Sequence, residues 1–175
     1  MIPNLITVVR LVLVPIVILM ILQEEWTWAL ALFAIAGISD GLDGYIARRF
    51  DMCSEFGAVI DPLADKVLIV SIYITLAIIE VIPAWLAIAV ISRDILMVMA
   101  FMVSWIMAHT IAVQPLFVGK VNTAVQIVFA AVVLGGLAFE LDFEVLNGAF
   151  AILIVLLSIV TVGLYLARWL KHMTR

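Results

Sequence analysis

An all-α integral membrane protein is the fold class the sequence predicts, and three observations predict it. Hydrophobic residues make up 67% of the 175 positions, charged residues only 13%, and the mean hydropathy is +1.34. A chain of this length has room for about six apolar spans of about 20 residues each. Nothing is left over for a separate soluble domain, so residues 1–175 are expected to form one transmembrane domain. A net charge of −4 gives no basic footprint for nucleic acid. The single Cys53 cannot form an intrachain disulfide and reads as an ordinary thiol. The start, Met1-Ile-Pro-Asn4, has neither a basic region ahead of the apolar run nor a small-residue cleavage site. The first apolar run is therefore expected to stay in the mature protein.

The first span is expected from Leu5 to Leu22, opened by Pro3-Asn4 and carrying Thr7, Arg10 and Pro15. Arg10 has two readings. It can snorkel to the nearby interface, or it can line a polar pocket with Asn4 and Thr7, which stand at i, i+3 and i+6 along one helix face. Gln23-Glu24-Glu25 turns the chain, and Trp26 and Trp28 suit an interfacial aromatic belt. The second span runs from Trp26 to Arg48 with Asp40 and Asp43 in its last turns. The third covers Ser54 to Ile79 and carries Gly57, Asp61 and Asp65 at intervals of four. Pro62 is expected to interrupt its hydrogen bonding and bend it.

The fourth span begins after Pro83, with Trp85 at the interface and Ser92-Arg93-Asp94 near mid-depth. Two adjacent charges there are a structural ion pair or part of a pocket, and the functional bias of intramembrane charges favours the pocket. The fifth starts near Pro115 and holds Lys120, Asn122, Thr123 and Gln126 along its first turns. The sixth runs from Val145 to Leu170 and ends in Arg168, Lys171 and Arg175. The turns at Gln23–Glu25, Glu80-Val81 and Glu140–Glu144 contain no Lys or Arg. Arg48, Arg49, Lys120, Arg168, Lys171 and Arg175 all fall on the other side. By the positive-inside rule both termini are cytoplasmic. His109 and His172 have no partners at metal-ligand spacing and read as interfacial. Ala131-x-x-x-Gly135 and Gly163-x-x-x-Ala167 would permit close helix packing.

The chemistry concentrates between Asp40 and Asp65. Carboxylates inside apolar segments cost about 2.5–3.5 kcal/mol each on insertion scales, so four forfeit on the order of 10 kcal/mol without compensation. Asp40 and Asp43 are i,i+3 and Asp61 and Asp65 are i,i+4, so each pair shares a helix face. Two such helices side by side would aim four hard oxygen donors at one point. That donor set selects Mg²⁺, Mn²⁺ or Ca²⁺, and two such ions form the clamp used in phosphoryl transfer. Gly41, Gly44 and Gly57 clear space for a bulky group, and Arg48 supplies a planar donor for phosphate. A nucleotide diphosphate fits that description. A divalent-cation channel or transporter is the reading from another class. It lacks the internal repeat common in transport folds, since the aspartate motif has no second copy, and it leaves the glycines and Arg48 without a role.

At these residues the chain resembles the CDP-alcohol phosphatidyltransferases, whose signature D-x-x-D-G-x-x-A-R-x8-G-x3-D-x3-D is met at every fixed position from Asp40 to Asp65, Ala47 included. The resemblance implies six transmembrane helices, a homodimer, and a cavity facing the cytoplasm from the bacterial inner membrane. It also implies two divalent cations, Mg²⁺ or Mn²⁺, on Asp40, Asp43, Asp61 and Asp65, with Asp65 also the general base. Gly41, Gly44, Ala47, Arg48 and Gly57 would bind the CDP end of CDP-diacylglycerol. Asn4, Thr7, Arg10, Arg93 and Lys120 would line the acceptor's phosphate pocket. Within the family, the segments Ile2-Pro-Asn4, Ile91–Asp94 and Lys120–Gln126 look closest to the eukaryotic-type cardiolipin synthases, which use phosphatidylglycerol as acceptor. Phosphatidylglycerophosphate synthases, which use glycerol 3-phosphate, come next. They often carry a second arginine two helical turns after the one matching Arg93, and here that position is Phe101.

Overall fold

The computed structural model describes residues 2–49, 55–106, 117–141 and 144–173. Among them the chain forms six α-helices and no strand: α1 (Ile2–Leu22), α2 (Trp26–Arg49), α3 (Glu55–Ile78), α4 (Ala84–Ile106), α5 (Phe117–Ala138) and α6 (Glu144–Met173). The bounds fall within a few residues of the expected spans. Helix α1 starts earlier, at Ile2, because a proline in the first turn gives up an N–H that has no helical partner there. Helix α3 is one element across Pro62, as α1 is across Pro15.

The odd-numbered helices end alike. Glu24, Glu80 and Glu140 hold left-handed backbone, with φ of 59°, 60° and 53°. After the first, Glu25 N–H donates to the Met20 carbonyl (2.9 Å) and Glu24 N–H to Ile21 (3.1 Å). After the second, Val81 donates to Leu76 (2.9 Å) and Glu80 to Ala77 (3.2 Å). After the third, Leu141 donates to Gly136 (2.8 Å). These are Schellman closures, which satisfy the last carbonyls and let the chain reverse within a few residues. A glutamate fills the position where glycine is usual.

The helices form two compact units. The first holds Met1–Ile82 and Ala130–Phe143, the second Pro83–Phe129 and Glu144–Arg175. In the first unit α1 packs on both α2 and α3. The buried residues recur at heptad-like intervals: Val14, Val17 and Ile21 on α1; Ala29, Phe33 and Ala36 on α2; Leu68, Ile72 and Leu76 on α3. Steps of three and four keep one stripe of each helix inward. In the second unit α4 packs on α6, with Leu86 and Val90 facing inward from α4 and Ala151 and Ile154 from α6. The rings of Phe129 and Phe150 meet at 6.2 Å between centroids.

Outward faces are apolar. Trp28, Trp85, Ile38, Ile88 and Ile159 are each more than half exposed. Two helices, Phe117–Ala138 and Leu146–Tyr165, are long and apolar enough to cross a membrane, with mean hydropathies of 1.9 and 2.5. Val9–Leu22, Trp26–Ser39 and Lys66–Ile78 are shorter apolar helical segments among the described residues.

Candidate active site

In the first unit the backbone register carries the site. The buried stripe of α2, Ala29, Phe33 and Ala36, continues by steps of four, three and four to positions 40, 43 and 47 of the same helix. The stripe of α3, read back from Leu76 through Ile72 and Leu68, arrives at positions 65, 61 and 57. Asp40, Asp43 and Ala47 on one helix, and Gly57, Asp61 and Asp65 on the next, thus occupy positions in register with the buried residues of these elements. On α1 the same stripe, Ile21, Val17 and Val14, reaches Arg10 and then position 7.

Position 43 lies six residues before the end of α2 and position 61 six residues after the start of α3, each about 9 Å along its helix at 1.5 Å per residue. Positions 40 and 65 lie nine and ten residues from the same ends, about 14 Å in. Gly41, Gly44 and Arg48 are helical residues of α2's last turns, and Asn4 and Thr7 belong to α1's first turns. The side chains at 2–8 and 40–65 lie outside the described ones, as do Cys53, His109 and the side chains of Phe101 and His172.

Arg10 is 3% exposed. Snorkelling would leave its head group outside the protein, so burial on the inward stripe removes that reading.

The second unit holds a polar core. Arg93 (3% exposed) and Asp94 (2%) form a buried ion pair, Nη1 to Oδ1 at 2.6 Å. Arg93 Nη2 donates to the Gly119 carbonyl across to α5 at 3.1 Å. Asn122, fully buried, donates from Nδ2 to Ser158 Oγ on α6 at 3.0 Å. Gln126 and Thr161 are buried beside them in sequence register, and Thr161 Oγ1 donates to the Leu157 carbonyl at 2.6 Å. Lys120, by contrast, is exposed. Of the two readings open for Arg93 and Asp94, the geometry contains the ion pair. A guanidinium has five N–H donors, so pairing with one carboxylate leaves others for a ligand.

Gly119, Ser158 and Thr161 are absent from the sequence-based site. The signal that could have found the hydroxyls is their i,i+3 spacing inside the apolar α6, opposite the i,i+4 amides Asn122 and Gln126 of α5. Gly119 carries no such signal, since it matters for what it lacks.

A family profile described as CDP-alcohol phosphatidyltransferase matches residues 1–162. The chain is 38% identical to the cardiolipin synthase (CMP-forming) of Rattus norvegicus over 79% of its own length and 51% of the relative's. It is 35% identical to the human protein of that name, over 79% and 52%. It is 34% identical to the CDP-diacylglycerol–glycerol-3-phosphate 3-phosphatidyltransferase of Bacillus subtilis, over 79% of both chains. The chain thus spans about half the length of the mammalian relatives and most of the bacterial one.

Proposed function

The chain belongs to the CDP-alcohol phosphatidyltransferase family, and from that premise we propose that it transfers a phosphatidyl group from CDP-diacylglycerol to phosphatidylglycerol, giving cardiolipin and CMP. The observation that carries the reading is the register of α2 and α3. Their buried stripes continue, by steps of three and four residues, to the positions of all four aspartates. Four hard oxygen donors fit a pair of Mg²⁺ or Mn²⁺ ions, held by Asp40, Asp43, Asp61 and Asp65. Bound there, the ions would neutralise the pyrophosphate and the charge developing on the attacking and leaving oxygens. Gly41, Gly44, Ala47, Arg48 and Gly57 take the CDP end of the donor. Asp65 accepts the proton of the acceptor hydroxyl. That hydroxyl oxygen bonds to the phosphorus bearing the diacylglycerol, and the bond from this phosphorus to CMP breaks. Asn4, Thr7, Arg10, Arg93 and Lys120 serve the acceptor's phosphate.

All six helices span the membrane in this reading, as one domain over residues 1–175, with both termini and the aspartate end on the cytoplasmic side. A bacterial inner membrane and a homodimeric assembly complete it. The one-sided Lys and Arg distribution supports the orientation, and the apolar outward faces support the spans.

Phosphatidylglycerol is preferred as acceptor because Phe101 stands where a further cation would serve a small dianion, and because the two mammalian relatives carry the cardiolipin synthase name. Glycerol 3-phosphate is the second reading, and the bacterial relative matched over most of its length favours it. The test is CMP release by purified enzyme supplied with CDP-diacylglycerol, a divalent cation and one acceptor at a time. Release with phosphatidylglycerol and cardiolipin as the product by mass spectrometry is the expected result. Equal release with glycerol 3-phosphate alone, yielding phosphatidylglycerophosphate, transfers the assignment to the second reading. Phe101→Arg should improve use of glycerol 3-phosphate by about tenfold, the size of one added charged hydrogen bond.

A further inference from the structure

Gly119 stands in the first turn of α5, and its own surroundings are full. A Cβ built on it would lie 3.3 Å from Arg93 Nη2, 3.7 Å from Met97 Cε and 3.8 Å from Thr161 Cγ2. The first of these is tighter than ordinary van der Waals contact. A side chain at position 119 would therefore push the guanidinium a few tenths of an ångström from the α5 backbone. Its Nη2 donates to the Gly119 carbonyl at 3.1 Å. That carbonyl also accepts from Thr123 Oγ1 at 3.2 Å, so the Arg93 contact is added to what the helix already demands of it. On the other side Nη1 meets Asp94 Oδ1 at 2.6 Å. With two nitrogens held by two different elements, the planar guanidinium has one orientation. Its Nε, also buried, has no hydrogen-bond partner among the described residues.

A buried donor without a partner is costly, and here it sits on a charged group fixed at two other points. The asymmetry is informative. A purely structural arginine would be expected to spend all its donors on the protein, whereas this one keeps an N–H in reserve. We propose that Gly119 and Asp94 are positioning residues for Arg93, docking its guanidinium so that the Nε–H meets a phosphate oxygen of the acceptor. Gly119 acts by absence, giving the room and the carbonyl. Asp94 acts by charge, holding Nη1. The inference rests on the placement of Arg93 at the acceptor's phosphate. The phosphate is common to phosphatidylglycerol, a diester, and glycerol 3-phosphate, a monoester.

The test is Gly119→Ala in the full-length enzyme, assayed for CMP release at varied acceptor, with phosphatidylglycerol and glycerol 3-phosphate in separate arms. The acceptor used by the wild-type enzyme identifies the source of the phosphate. For that acceptor KM should rise about tenfold, the size of one weakened charged hydrogen bond, with KM for CDP-diacylglycerol unchanged. Thermal stability should hold or increase, because alanine is a better helix former than glycine. In an Arg93→Ala background the same Gly119→Ala change should have no further effect on acceptor KM, since coupled residues show non-additive effects. An unchanged acceptor KM in Gly119→Ala, with a raised one in Arg93→Ala, overturns the positioning role and leaves Arg93 at the acceptor. A rise of equal size in both backgrounds also overturns it. An unchanged acceptor KM in Arg93→Ala removes Arg93 from the acceptor site altogether, and the positioning role with it.

Discussion

A residue acts here through its place on a stripe. Asp65 occupies a register position continuous with Leu68, Ile72 and Leu76, one helical turn beyond Asp61, and the proposed reaction gives it the acceptor's proton. Asp65→Asn should reduce turnover below about a tenth of wild type, since a positioned base contributes typically 10²–10⁴-fold, while CDP-diacylglycerol binding persists on the three remaining carboxylates. Asp40→Asn should weaken donor binding and turnover together. Donor binding measured by calorimetry beside CMP release separates the two, and an Asp65→Asn enzyme with half of wild-type turnover would take the base role from that residue. In the second unit the Asn122 amide and Ser158 hydroxyl are buried partners at 3.0 Å. Ser158→Ala leaves an amide N–H unsatisfied and should destabilise the protein by about 1–2 kcal/mol. A double-mutant cycle with Asn122→Ala, followed by thermal unfolding in detergent, should show the two losses to be less than additive.

At the scale of the element, the ends of α1, α3 and α5 share one solution and one weakness. Each Schellman closure requires a residue in the left-handed region, and at each the residue is glutamate. A side chain there costs about 1–2 kcal/mol, against about 0.5–1 kcal/mol of backbone entropy for glycine. Glu80→Gly should therefore stabilise the α3–α4 connection slightly, and Glu80→Val, β-branched at positive φ, should destabilise it by more. Midpoints of thermal unfolding for the pair check the sign. If glycine lowered the midpoint, the glutamate carboxylate would have to make a compensating contact. Proline acts on the same scale. Both Pro15 and Pro62 sit inside elements that continue past them, because the packing of the stripe on either side outweighs one missing hydrogen bond.

For the whole molecule, the proposed orientation is the property that would give the site its substrate. The turns after α1, α3 and α5 carry acidic residues and no Lys or Arg, while Arg48 and Arg49 in the last turn of α2, Lys120 in the first turn of α5, and Arg168 and Lys171 near the end of α6 lie at the helix ends away from those turns. In a Cys53→Ser background, a cysteine at Glu25 or Glu140 should react with an impermeant thiol reagent added outside intact cells, and one at Asp51 should react only after permeabilisation. The reverse pattern would place the aspartate end away from the cytoplasmic nucleotide and would overturn the proposed topology.

The helices and the aspartate motif were legible in the sequence for one reason: both are local. Hydropathy and steps of three and four residues are written along the chain, so six helices could be bounded to within a few residues. The spacing of Asp40, Asp43, Asp61 and Asp65 likewise predicts a shared face without knowledge of any neighbour. Contacts between distant segments are not written that way. Whether Arg10 snorkels or turns inward depends on which stripe of α1 meets α2 and α3, and only the tertiary structure decided that it is buried. The Arg93 pose is of the same kind. Its partners are the adjacent Asp94 and a carbonyl 26 residues away, and it needs a glycine whose importance is the atom it does not have. Sequence determines which faces are apolar and where the carboxylates stand along a helix. Packing determines which of those faces meet, because the free energy of close contact depends on shape at the point where two helices touch.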